Sequence, residues 1–123
     1  MKDVAANYTK YKLPLETMYS DIDYMDRYRD FTIDPINYAG LGDFVNDLHS
    51  KNQHYIPIID AGIAIRSDNE AYTDGINRDV FIKNWDNQTV YAGQVWPGDT
   101  AFPDFLNPEA SNYWQDWLGK LYD

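Results

Sequence analysis

The sequence has no cysteine in its 123 residues, which excludes disulfides and thiolate chemistry and leaves the compartment open. Basic residues are scarce: 10 Lys and Arg stand against 20 Asp and Glu, for a net charge of -10. Phosphate-rich partners need the opposite balance, so no nucleic acid or anionic membrane surface is expected as a partner. No run of about 18 apolar residues is present, and no helix is expected to cross a membrane. The first residues lack a secretory leader pattern, so any export signal is expected upstream of this chain. Repeats and low-complexity linkers are also missing, and no cofactor motif occurs.

What is present is material for a packed core. Hydrophobic residues make up 44% of the chain and aromatics 16%, far above what disordered segments carry. The acidic balance suits a neutral ligand rich in hydroxyls, or a cation. Tyr19 to Asp34, YSDIDYMDRYRDFTID, concentrates the feature: five aspartates stand among aromatic rings and two arginines. Carboxylates accept hydrogen bonds from hydroxyls, and rings offer flat apolar faces to the C–H side of a sugar. The same residues also fit a loop braced by ion pairs. On that reading Asp21 pairs with Arg27 or Arg29, and Asp23, Asp26 and Asp30 serve mainly as the brace.

Periodicity organises the chain as alternating elements. Residues 2–12 read as a helix and Leu15–Ile22 as a strand, with Leu15, Thr17 and Tyr19 alternating with Glu16, Met18 and Ser20. In Tyr38–Lys51, Leu41, Phe44, Val45 and Leu48 form an apolar stripe at helical spacing. HYIPIID fits a strand buried on both faces. Ala61–Gly75 has no period and is expected to be a long loop. DVFIKN and TVYAGQVW are expected to form a hairpin about Asp86-Asn87. Asn107 and Pro108 then open a last helix with Tyr113, Trp114, Trp117, Leu118 and Leu121 on its apolar face.

Strands alternating with amphipathic helices predict an α/β fold with a parallel sheet, here part of an eight-stranded barrel of the TIM (β/α)8 type. Residues 1–123 are expected to supply two parallel β/α units plus a β-hairpin insertion. Ligands in such barrels sit at the C-terminal strand ends, which here are Asp21-Ile22-Asp23 and Ile58-Ile59-Asp60. His49 and His54 have no metal-ligand spacing, and no metal site is expected.

Three stretches carry a resemblance: PLETMYSDIDYMDRYRDFT (residues 14–32), IIDAGIAI (58–65) and GQVWPGDTAFPDFLNPEASNYW (93–114). In this order they resemble the signatures of glycoside hydrolase family 31, above all its α-glucosidases of the maltase and sucrase-isomaltase type. The resemblance implies retaining hydrolysis of terminal α-linked glucose, an α-glucoside or malto-oligosaccharide substrate, and a chain corresponding to the second and third strand units of the catalytic barrel. The remainder of that barrel is then its structural partner. By the same resemblance Asp21 matches the carboxylate that grips glucose hydroxyls, Ile22 follows it in the pocket wall, Ile58 matches the apolar residue of the next strand, and Trp96 matches the tryptophan lining the pocket. Asp60 and Asp104 are expected to play supporting structural roles.

The catalytic pair has no counterpart here. The family places its nucleophile in a WxDMNE-like motif on the following strand and its acid/base beyond that, and retaining catalysis needs both. NWDNQ (residues 84–88) matches that motif only superficially, and the aromatic residue of the family's first strand is missing too. No residue of this chain is therefore expected to be catalytic. The alternative is a non-catalytic sugar-binding or oligomerising module. Sequons at Asn7-Tyr8-Thr9 and Asn87-Gln88-Thr89 suit a secreted or vesicular protein.

Overall fold

The computed structural model describes residues 1–122. Its first layer is a two-stranded parallel sheet of β1 (Thr17–Ser20) and β2 (His54–Pro57), with Tyr19 opposite Ile56. Helix α1 (Lys2–Lys10) precedes β1, and α2 (Leu41–Ser50) is the crossover between the two strands. A parallel pair requires such a crossover, because no tight turn can reverse the chain twice.

The sequence pattern explains the crossover helix. Phe44 and Leu48 of its apolar stripe are buried, where they pack with Met18 of β1, and Leu15, Tyr55, Met1 and Ala5 close around them. The helix stops because Asn52 takes a left-handed backbone (φ 58°), while the amides of Lys51 and Gln53 both turn back to the Leu48 carbonyl. Asparagine tolerates that conformation better than most residues. The chain is thereby aimed into β2, whose first amide, that of His54, bonds to the Glu16 carbonyl.

In β1 the alternation puts Met18 and Ser20 inward and leaves Tyr19 69% exposed. Ile56, its register partner, is 47% exposed. The helices thus cover one face of the parallel pair, and the other is open, with Thr17 and His54 at its start and Tyr19 and Ile56 beyond them. That open face runs on to Ile58, whose amide extends the ladder by bonding to the Ser20 carbonyl. HYIPIID was expected to be buried on both faces; in this chain one face is half-buried and the other exposed.

The second layer corrects the expected loop. Within residues 61–75 lie a short strand, β3 (Ile63–Ala64), and the start of helix α3 (Glu70–Asn77). Periodicity is invisible in a two-residue strand, and α3 is short, with Gly75 inside it. That glycine is demanded by packing, since a Cβ there would lie 2.4 Å from the Phe81 ring. Strands β4 (Gly93–Val95) and β5 (Gly98–Ala101) complete an antiparallel sheet in the order β3-β5-β4.

The hairpin also differs from expectation. Around Asp86-Asn87 a single bridge, Lys83 to Val90, forms between the arms. The regular hairpin turns at Trp96-Pro97, with Gly98 in a positive-φ conformation (φ 99°). Proline has no amide to give to a ladder, and glycine accepts the turn geometry that other residues resist.

Helix α4 (Pro108–Tyr122) closes the layer. Asn107 caps it as expected, its side-chain oxygen accepting from the Glu109 amide at 3.0 Å. Ala110, Tyr113 and Trp117 are buried against Ile63, Ala71, Val80, Phe81 and Ala101, the larger of the two cores. Trp114 turns sideways to meet Phe31 and Phe105 edge-on, while Leu118 stays partly exposed. Among the described residues the parallel sheet does not close into a barrel.

Candidate functional site

Beyond β1 the chain makes two short 3₁₀ turns, Ile22–Tyr24 and Asp26–Tyr28. Arg27, Tyr28 and Phe31 all adopt positive φ near 60°, and each such residue swings the next side chain to a new side. This is why spacing could not say which aspartate meets which arginine.

The arginines pair with Asp26 and Asp68. Arg29, buried, contacts the Asp26 carboxylate and lies 3.5 Å from that of Asp68, and Arg27 reaches the same two acids. Burial works against the charge on Asp26, but hydrogen bonds from Arg29 and Arg27 outweigh it and hold the carboxyl below its usual range. Asp68 was not foreseen as a member, because it stands 39 residues from Arg29 in the segment taken for a loop.

Asp21 stays outside this brace. It is exposed, caps its own turn by accepting from the Ile22 amide at 2.8 Å, and makes no ion pair with Arg27 or Arg29. Its Oδ2 has no hydrogen-bond partner among the described residues. Strand alternation carries Tyr19 and Asp21 on the open face together with Ile56 and Ile58. Ile58 is 41% exposed, and Ile22 is half-buried beside Asp21.

Asp30 also differs from the expected brace. Its carboxylate receives the Asp60 amide at 3.1 Å on Oδ1, and Oδ2 is buried with no hydrogen-bond partner. Burial pushes its pKa up to about 7; the Asp60 amide works against that rise and the charge of Asp60 adds to it. Nearby, the buried Tyr24 hydroxyl donates to the Ile58 carbonyl at 2.8 Å. Burial raises the Tyr24 pKa far above the usual phenol value, with Asp30, Tyr55 and Asp60 contributing in the same direction. Two hydrogen bonds therefore tie the segment after Asp21 to the end of β2. Neither tie was legible in the sequence, where Asp30 read as one more carboxylate near arginine.

Trp96 stands at the tip of the β4-β5 turn, 65% exposed, and is not core filler of this chain. The hairpin below it presses on the segment that follows β2: a Cβ on Gly62 would lie 2.9 Å from Val95 and 2.8 Å from Thr100. Gly62 is four residues beyond Ile58, so the Trp96 hairpin is anchored on the same loop that continues the open face. Asp104 shapes the turn before α4, its Oδ1 accepting from the Leu106 amide and its own amide bonding to the Val80 carbonyl. Among the described residues no group of three or more acidic or histidine side chains could hold a metal.

Residues 1–123 match the Glycosyl hydrolases family 31 TIM-barrel domain. The chain belongs to glycosyl hydrolase family 31. It is 49% identical to an alpha-glucosidase of Schizosaccharomyces pombe over 128 residues, covering 97% of this chain and 13% of that protein. Identity to a probable alpha/beta-glucosidase of Aspergillus fumigatus is 44% over 123 residues, covering 98% of this chain and 14% of the relative. Among solved structures, a family 31 alpha-glucosidase from Bacteroides thetaiotaomicron superposes with a TM-score of 0.82 at 32% identity, over 95% of this chain and 20% of that one. The glucosidase II alpha subunit bound to Glc1Man2 gives 0.89 at 25% identity, over 93% of this chain and 12% of that chain.

The chain thus spans about an eighth of the length of the curated relatives named above. The β1-α2-β2 layer is part of a TIM-barrel domain, and the antiparallel sheet with α3 is inserted between β2 and α4. The expected hairpin insertion is therefore real, and it is larger than the sequence suggested.

Proposed function

We propose that this chain forms part of the glucose-binding wall of a retaining α-glucosidase that removes terminal α-linked glucose from malto-oligosaccharides. The observation that carries the reading is the open face of β1 and β2, which ends in Asp21 and Ile58 beside the hairpin bearing Trp96. Barrel enzymes bind at this end of their strands, and the relatives are named as glucosidases.

On this reading Oδ2 of the exposed Asp21 accepts hydroxyl protons of the terminal glucose. A charged acceptor makes such bonds about twice as strong as neutral ones. Ile22 and Ile58 line the pocket without offering competing polar groups, and the Trp96 ring supplies a flat face to the sugar. Asp60 acts through its backbone amide at the anchored end of β2, and Asp104 through its carboxylate and amide in the turn before α4. The nucleophile and the acid/base, which must lie about 5 to 5.5 Å apart in a retaining enzyme, come from the rest of the barrel.

The test is hydrolysis of maltose by the full-length enzyme that carries this chain, followed by NMR of the freshly released sugar. Glucose appearing first as the α-anomer supports the reading. No glucose release, or the β-anomer first, overturns it.

A further inference from the structure

The turn between Asn84 and Thr89 presents a tryptophan to water. Trp85 is 99% exposed, although indole is among the largest apolar surfaces a side chain offers. The ring is not simply on a loose loop. Asp86 Oδ1 accepts from the amides of Gln88 and Thr89 at 2.9 and 3.0 Å, and its Oδ2 accepts from the Thr89 hydroxyl at 2.7 Å. The Asn84 carboxamide donates to the same hydroxyl at 3.0 Å, and the backbone of Asn84 closes the turn to Thr89 and Asn87.

Asp86 caps the turn, and the residues on either side of it are exposed. One is Trp85. The other, Asn87, is exposed at φ 56°, and its carboxamide makes no hydrogen bond among the described residues. Asn87-Gln88-Thr89 is an acceptor triplet for N-linked glycans, with no proline at the middle position. A free carboxamide, a pinned tight turn and an unused aromatic platform two residues upstream are independent features, and they meet at one place.

We propose that Asn87 is N-glycosylated and that the Trp85 indole packs against the first sugar of the glycan. The co-reactant is an oligosaccharide joined through diphosphate to a polyprenyl lipid, held by an oligosaccharyltransferase. The Asn87 amide nitrogen attacks the anomeric carbon; a C–N bond forms and the C–O bond to diphosphate breaks with its electron pair. One N–H proton passes to a base on the transferase, and the lipid diphosphate leaves. Folding of the turn then places the sugar's C–H face against the indole. Such transfer takes place in the lumen of the secretory pathway, so the site assigns the chain to that route.

The other triplet shows what is distinctive here. Asn7 lies within helix α1, and the residue two positions upstream is Ala5. Neither a turn nor a platform is offered.

The experiment uses the full-length enzyme purified from its own organism. Peptide mapping before and after treatment with peptide:N-glycosidase reads Asn87 directly, because the treatment converts a glycosylated asparagine to aspartate. Recovery of the residue-87 peptide chiefly as aspartate, and only after treatment, is expected; recovery chiefly with unmodified Asn87 overturns the proposal. Melting of Trp85→Ala, Asn87→Gln and the double variant tests the platform. Trp85→Ala is expected to lower Tm in the glycosylated protein and to leave the Asn87→Gln background almost unchanged, with Trp85→Phe restoring most of the loss. Equal losses in both backgrounds would remove Trp85 from the role.

Discussion

The Tyr24 hydroxyl donates to the Ile58 carbonyl across 34 residues of sequence, at 2.8 Å. It joins the turn that follows Asp21 to the strand end that carries Ile58. A second tie, from the Asp60 amide to Asp30, lies two residues farther on. The two proposed walls of the glucose pocket are therefore held at a fixed separation by bonds that involve neither wall's side chains.

Tyr24→Phe tests that tie with little change in volume. The lost bond leaves a part-buried carbonyl short of a donor, a cost of about 1 kcal/mol. If the tie sets the pocket, the enzyme should lose roughly fivefold in kcat/KM for maltose. The measurement is steady-state kinetics normalised to correctly folded protein. Kinetics within experimental error of the unaltered enzyme would mean that the tie serves stability alone.

Asp30 predicts a pH dependence of stability. Its folded pKa is raised to about 7 by burial, whereas an unfolded aspartate titrates near pH 3.9. Below about pH 4 both states hold the proton and the contribution is fully present. Between about pH 4 and 7 only the folded state holds it, so stability falls as pH rises, and the loss is complete above the folded pKa. The groups facing Asp30 are Asp60, Tyr24 and Tyr113, and neither tyrosine titrates in this window. Asp30→Asn should therefore flatten the change in Tm between pH 5 and pH 8. An unchanged slope would place the titration elsewhere.

Gly75→Ala probes the packing of the inserted layer. The added methyl would meet the Phe81 ring at 2.4 and 2.6 Å. Phe81 is buried, stacked on Tyr72 and met edge-on by Tyr113, so the ring has little room to retreat. Overpacking of this kind costs about 1–3 kcal/mol. A lowered Tm for Gly75→Ala is the expected reading, whereas Gly119→Ala, where a Cβ meets nothing within 4 Å, should not destabilise.

The legible parts of the fold were those with long period. Leu41, Phe44 and Leu48 announced helix α2, and Asn107-Pro108 announced the start of α4, because several residues repeat one constraint. Strand β3 has two residues and could announce nothing. The hairpin was placed at Asp86-Asn87 because that pair is a good turn former; the regular turn went to Trp96-Pro97, where Gly98 and the ladder with Thr100 outweighed local preference. In the site, the sequence and its resemblance put Asp21 and Ile58 at neighbouring strand ends. The ties through Tyr24 and Asp30 were hidden because positive φ at Arg27, Tyr28 and Phe31 redirects the side chains around them.

Asp21 carries the central claim, that the open strand ends of this chain hold the terminal glucose. In the full-length enzyme, Asp21→Asn removes the charge while keeping an acceptor oxygen for the Ile22 amide. Loss of a charge-assisted bond to substrate costs about 1.5 to 3 kcal/mol, or about a 10- to 150-fold drop in kcat/KM. The most direct measurement is kcat/KM for maltose and Tm on the same Asp21→Asn protein. A drop of that size with Tm nearly unchanged is the predicted result; near-normal kcat/KM with a lowered Tm would contradict the account and leave Asp21 as a brace of its loop.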